Sequence, residues 1–296
     1  MKTVFPILAT LLFAVLLLAY PAAVGTAVQD ALSLCVHTVV PSLFPFFVVT
    51  GLLLQLGLDS ILRPLCAPFM RPLFHLRGEC AAPLLAGFLG GYPTGARSVA
   101  QLYAQEMLTR QEAELLLGFC NNCGVGFLVG FVGAGIFQSV RVGVALLGVH
   151  ILSALLTGIV LCRRHRNTPA PPQLPCHLPA QRPPHGTALT TAVSSALTAT
   201  LTVCAYVVCF RTATALLPLP NCLVGVMEMV GAIATLPSNT MGFMAAAGIT
   251  AWGGLSVHCQ TLAVTGGLSL HYHTTGKILQ TIFAVLLSAP IALCLR

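Results

Sequence analysis

The sequence predicts an all-α polytopic membrane protein of about seven transmembrane helices plus two re-entrant hairpins, arranged as an inverted repeat. Three observations carry the prediction. Of 296 residues, 56% are hydrophobic and only 7% charged, against about 25% charged in a soluble domain, and mean hydropathy is +0.90. The apolar runs are continuous rather than alternating, so backbone groups in lipid are satisfied within helices rather than strands. Two further segments are too short, or too rich in glycine and proline, to be plain spans.

Taken in order, the first run is Val4 to Val24, which follows Lys2 and ends in "AYPAAVGTA". Its small residues resemble a signal-peptide cleavage site, but its length suits retention as a first membrane helix, within residues 1–30. Ala31 to Leu56 is a second span, kinked at Pro41 and Pro45. Gly57 to Cys80 reads as an interfacial connector, with Arg63, Arg71 and Arg77 against Asp59 and Glu79.

"GFLGGYPTGARSVAQ", Gly87 to Gln101, carries four glycines, a proline and an arginine within eleven residues. In a helix each glycine costs about 1 kcal/mol relative to alanine and proline about 3, so the segment is not a plain span. In "LTRQEAELLLGF" Thr109 and Glu112 make a capping box, opening a helix from Arg110 to about Phe137 that "FCNNCGVG" interrupts. Val142 to Cys162 spans. Arg163 to Gly186, rich in proline and arginine, reads as a disordered linker. Ala188 to Leu217 spans, Leu223 to Leu236 is too short to cross, Met241 to Leu268 spans with an interruption at "WGGLSVHCQ", and Lys277 to Leu295 closes the chain.

The net charge of +7 points to orientation in a membrane rather than to nucleic acid. Arg163, Arg164, Arg166 and Arg182 share one loop with no interleaved aromatics, as the positive-inside rule expects of a cytoplasmic segment. If Gly87 to Gln101 crossed fully, that loop would lie outside. If it enters and returns on one face, Arg63, Arg71, Arg77 and the linker arginines all fall inside. Gly90, Gly91, Pro93 and Gly95 then form the tip of a hairpin that ends within the bilayer. Non-helical backbone at that depth lies in protein or lines a cavity, and Arg97 reaches a cytoplasmic opening. Leu223 to Leu236 becomes a second hairpin entering from outside, so the halves are opposed. Gly118 to Gly126 and Gly248 to Ser256 align without gaps, pairing Gly118 with Gly248 and Gly124 with Gly254. Opposed hairpins with such an echo mark an inverted repeat, the architecture of many secondary transporters.

The 12 cysteines scatter through apolar runs as small hydrophobes. Cys120 and Cys123 form a lone C-x-x-C with no second pair at zinc spacing. No nucleophile triad, zinc signature or phosphate loop is present, and the chain is read as not an enzyme.

"GFLGGYPTGARSV", "FCNNCGVGFLVGFVG" and "GGLSVHCQ" together resemble the YlbJ family of sporulation integral membrane proteins, which carry the nucleoside-recognition, or Gate, domain. The resemblance implies a multi-pass protein of the bacterial cell membrane, required for sporulation, with Gate-like halves at 31–162 and 188–296 joined by the 163–187 linker. One departure stands out: related sequences typically follow the acid of the second hairpin with hydroxyl residues, asparagine or glycine, whereas Glu228 is followed by Met229, Val230 and Gly231.

The broken points predict one shared cavity formed by Tyr92, Thr94, Asn121, Asn122, Glu228, Ser256 and His258. Adjacent asparagines face one site only if the backbone unwinds there; otherwise they bond between helices. Glu228 is an intramembrane acid or an acid at the outer interface, and His258 is a proton relay or a structural histidine. His271 and His273 read as solvated loop residues. The expected partners are the lipid bilayer and a small polar solute such as a nucleoside, with a homo-oligomer left open. No nucleic acid, cofactor or metal is expected. Two functions compete: a permease-like protein moving or sensing that solute, and a non-transporting scaffold that recruits sporulation proteins through the basic linker.

Overall fold

The computed structural model describes residues 4–163, 185–217 and 221–294, and among them there is no strand. Most of the basic linker, including Arg164, Arg166 and Arg182, lies outside the described residues. Among the described residues, five helices are long and apolar enough to cross a membrane: Pro21–Gln55, Val140–Arg163, Gly186–Leu216, Thr240–Val264 and His271–Leu293. The other two expected crossings are not single helices of span length.

Helix α1 (Val4–Ala19) ends at Tyr20 because Pro21 has no N–H to continue the ladder. The break therefore falls earlier than expected. Pro21 to Asp30, assigned from sequence to the first run and the turn after it, already belongs to the second rod. That rod joins α2 (Pro21–Leu34) to α3 (Val40–Gln55) through a π-helical turn at Cys35–Val39. Pro41 cannot donate to the His37 carbonyl, and the ladder widens just ahead of it. At 1.5 Å per residue the rod is about 52 Å long, longer than a hydrocarbon core of about 30 Å.

The segment read as a connector is a helix, α4 (Leu58–Phe74), despite Pro64, Pro68 and Pro72. The prolines recur every fourth residue, so the missing hydrogen bonds line one side. Ile61, Leu65, Phe69 and Leu73 form an exposed apolar stripe on the same helix, and Met70 and Phe74 are buried. Tertiary and membrane packing override propensity here.

Helices α5 (Ala81–Gly90) and α6 (Thr94–Ala104) form the first hairpin, turning at Gly91 with a cis Tyr92–Pro93 bond. Helix α7 (Arg110–Cys120) opens with the expected capping box: the Thr109 hydroxyl accepts from the Glu112 amide, and the Glu112 carboxylate accepts from the Thr109 amide. It ends where Asn121 turns extended (φ −92°, ψ 100°), and the chain resumes as a π-helical segment, Gly126–Ile136. Helix α8 (Val140–Arg163) follows. Beyond the linker, α9 (His185–Leu216) is followed by α10 (Asn221–Met227) and α11 (Met229–Ala234), which meet at Glu228. Helix α12 (Thr240–Trp252) breaks at Gly253 (φ +83°) into α13 (Gly254–Val264), and α14 (His271–Cys294) follows.

Thus α14 starts six residues before Lys277, and His273 lies inside it, fully buried, not in a solvated loop. His271 is exposed, as expected. Small residues allow the close crossings, as in membrane bundles generally. A Cβ on Gly276 would fall on the Gly118 carbonyl, and Gly133 meets Gly143 backbone to backbone.

Two ends of the bundle are distinguishable. At one, Arg77 donates to Glu112 (2.9 and 2.8 Å) and to the Met107 carbonyl (2.6 Å). There too, Arg110 donates to Glu114 (2.8 Å) and to Gly267 (3.3 Å), and Glu114 accepts from the Ser269 amide (3.0 Å). At the other, Phe137, Val142, Ser238, Asn239 and Ala292 surround one cleft.

Candidate functional site

The glycines of the first hairpin are explained by what lies against them. A Cβ on Gly87 or Gly95 would fall on the Cys120 carbonyl, so the two arms of the hairpin straddle the broken end of α7. Gly91, at φ +72° and ψ −168°, occupies a region essentially reserved for glycine and lies on Gly124. In the second half Gly254, at φ +76°, lies on Met227, Glu228 and Met229, the tip of the other hairpin. Each hairpin tip thus rests on the glycine of the following broken helix. These are the two glycines that the ungapped alignment pairs.

The four broken points meet at one small cavity of about 30 Å³, lined among others by Gly91, Tyr92, Cys123, Gly124, Glu228 and Ser256. That is room for a water-sized group. Gln260 also lines it, with its Oε1 buried and without a protein partner. Glu228 caps α11, its carboxylate accepting from the amides of Val230 (2.6 Å) and Gly231 (2.5 Å). The same residue lines a second, open cavity of about 770 Å³, together with Asp30, Arg211, Thr214 and Thr235. Gly231 leaves the room that the Arg211 guanidinium fills. Glu228 is therefore the wall between a wide vestibule and a small inner chamber.

Behind Tyr92 lies a buried polar network. Lys277, Gln280, Asn121 and Asn122 are each 0% exposed. The Lys277 ammonium donates to the Asn121 carbonyl (2.5 Å), to Gln280 Oε1 (2.9 Å) and to the Tyr92 hydroxyl (3.0 Å). Gln280 Nε2 donates to Asn122 Oδ1 (3.0 Å) and lies 3.4 Å from His150 Nε2, which accepts from the Cys123 amide (3.1 Å). Asn121 Nδ2 donates to Thr261 Oγ1 (2.7 Å), and the Tyr92 hydroxyl and Cys123 thiol reach the Thr250 carbonyl. The register that pairs Gly124 with Gly254 also pairs His150 with Gln280, which touch across the middle of the molecule.

Of the seven residues expected at one cavity, Tyr92, Glu228 and Ser256 line it. Asn121 and Asn122 stand one layer behind, in the lysine network, and their backbone is unwound. Thr94 bonds back to the Gly90 carbonyl (3.3 Å), and His258 packs at a tilt against Trp252 (4.4 Å) and edge-on against His273 (4.9 Å). Neither of these two lines the chamber. Lys277, Gln280, His150 and Arg211 were missed. A lysine three residues before a glutamine in an apolar run was the available signal, but starting the last span at Lys277 placed it at the interface.

Residues 36–137 match the family model described as nucleoside recognition, Gate. Over 144 residues the chain is 35% identical to the sporulation integral membrane protein YlbJ of Bacillus subtilis strain 168, a match covering 49% of this chain and 35% of that protein. The chain thus spans about a third of the length of the curated relative it matches. No solved structure matches it. The chain is an integral membrane protein whose residues 36–137 match the nucleoside-recognition model, and it is similar over about half its length to a bacterial sporulation protein.

Proposed function

We propose that the protein is a permease-like membrane protein that moves or senses a small polar solute, a nucleoside-like molecule being the first candidate. The observation that carries the reading is the convergence of both hairpin tips and both helix breaks on one chamber, with Glu228 between it and the vestibule. Broken helices near mid-membrane present free N–H and C=O groups to a ligand, the arrangement of inverted-repeat transporters. The Gate match and the unpartnered Gln260 oxygen support a polar, hydrogen-bonding solute. The vestibule has nucleoside dimensions and the chamber does not, so the reading has the hairpins part to admit the solute.

In this proposal the polypeptide makes about seven crossings, the two hairpins enter from opposite faces, and the vestibule opens outward. It catalyses no covalent step. The role in sporulation is carried over as a proposal from the relative's printed name. Purified protein in liposomes, assayed with labelled nucleosides, nucleobases and amino acids, tests the reading. Saturable uptake of a panel member is expected; no uptake of any of them counts against it.

A further inference from the structure

The Lys277 ammonium is held by three oxygens, and none carries a charge. Among the described residues no carboxylate forms an ion pair with it; the ion pairs there are Arg77–Glu112 and Arg110–Glu114. A buried ammonium inside a membrane bundle is expensive without compensation. What compensates is the C-terminal end of α7. The helix stops at Cys120, its negative dipole end points at the break, and the freed Asn121 carbonyl turns to Nζ. The Gly118–Gly276 crossing brings α14 backbone to backbone with α7 one residue before the lysine, which drives the ammonium into that carbonyl end. The Tyr92 ring adds its face, 5.0 Å from Nζ to the centroid.

In broken-helix transporters, unwound carbonyls and half-helix C-terminal ends hold the coupling cation. An ammonium carries the same unit charge and brings three donors for three oxygens. The other half has no such group: in the register that pairs the two breaks, Leu147 stands where Lys277 stands, and the end of α12 offers its Thr250 carbonyl to Tyr92 and Cys123 instead. We propose that Lys277 is a tethered cation, filling from within the protein the site at the end of α7 that a free monovalent cation would take. Sodium therefore does not bind there, and the solute movement proposed above draws on no sodium gradient. Only this last consequence rests on the permease reading.

The test is thermal unfolding of the purified full chain in detergent at equal ionic strength in sodium, potassium, choline or n-propylammonium chloride. The wild type is expected to melt at one temperature in all four. Lys277→Ala is expected to melt lower by about 5 °C or more in choline, and to recover most of that loss in sodium or n-propylammonium chloride, which enter the vacated cradle. A sodium-specific rise in the wild type overturns the proposal, as does a Lys277→Ala protein that melts alike in all four salts. Should that variant fail to accumulate, Lys277→Ser, whose short hydroxyl also leaves the cradle vacant, carries the same comparison, and the wild-type result stands without it. Liposome uptake is expected to be equal with sodium or choline outside. A preparation without uptake bears on the permease reading and leaves the melting result intact.

Discussion

Gly91 and Gly124 meet backbone to backbone: a Cβ on Gly91 would stand 2.9 Å from the Gly124 amide nitrogen, and one on Gly124 would stand 3.0 Å from the Gly91 nitrogen. Only Gly91 also needs a positive φ, so the two positions separate conformational strain from contact. Gly91→Ala is expected to destabilise by about 1–3 kcal/mol beyond Gly124→Ala. Gly91→Leu is expected to reach the membrane yet lose uptake, because the hairpin tip no longer seats on the broken helix. Unfolding in detergent and uptake by liposomes check the pair. Equal loss at the two glycines, or an active Gly91→Leu protein, would show that the tip is a plain flexible helix.

Arg77 and Glu112 offer a second prediction. Glu112 is 4% exposed, caps its own helix and takes two hydrogen bonds from Arg77. Arg77→Met leaves a buried carboxylate with local partners only, at an expected cost of about 3 kcal/mol, the low end for a broken buried pair. Adding Glu112→Gln should return part of that loss, since the two changes couple. Arg110→Gln breaks an i,i+4 pair whose arginine side chain is 62% exposed, and its expected effect is far smaller, because solvent screens the pair. Denaturant titration of the three variants decides the order. If Arg110→Gln costs as much as Arg77→Met, burial is not what makes the difference.

The features legible in the sequence were those with a local cause. Thr109 and Glu112 announce a helix start by spacing alone. The Gly90–Gly95 run and the Asn121–Asn122 pair are residues an uninterrupted membrane helix avoids, so their positions marked the hairpin and the break. What was not legible depends on partners far along the chain. Lys277 finds its oxygens on the first hairpin, the broken α7 and its own helix, and apart from Gln280 three residues on, nothing near it announces that. Helix α4 was hidden by three prolines, because local propensity argues against a helix that its packed and lipid-facing sides stabilise. His273 looked like a loop residue until the start of α14 was known.

Topology gives a third prediction. The end of the bundle that holds Arg77, Arg110 and the Gly267–Ser269 turn is expected inside, by the positive-inside rule applied to Arg63, Arg71 and Arg77. The end that holds Ser238 and Arg141 is then outside. In a background stripped of the 12 native cysteines, Ser269→Cys should react with an impermeant maleimide only after the membrane is opened. Ser238→Cys and Arg141→Cys should react in intact cells. Labelling of Ser269 and Ser238 from the same side would remove the opposed hairpins, and the inverted repeat with them.

The last prediction separates the two tasks of Glu228. As the cap of α11 its carboxylate takes two backbone N–H groups, a role worth about 0.5–2 kcal/mol. As the wall between vestibule and chamber it lines both cavities, where the proposed solute would pass. Aspartate is among the best N-caps, so Glu228→Asp keeps charge and cap while drawing the carboxylate back from the chamber. Glu228→Gln keeps the reach and removes the charge, with an expected stability loss of about 1 kcal/mol. If the carboxylate handles solute, both variants remain folded and both lose uptake, by about tenfold or more, equivalent to about 1.4 kcal/mol. If Glu228 is only a cap, uptake instead follows stability, and Glu228→Asp transports like the wild type. Paired melting and uptake curves for these two variants distinguish the outcomes, because a cap acts on the folded fraction alone, whereas a solute-facing carboxylate acts on the rate of a protein that is already folded.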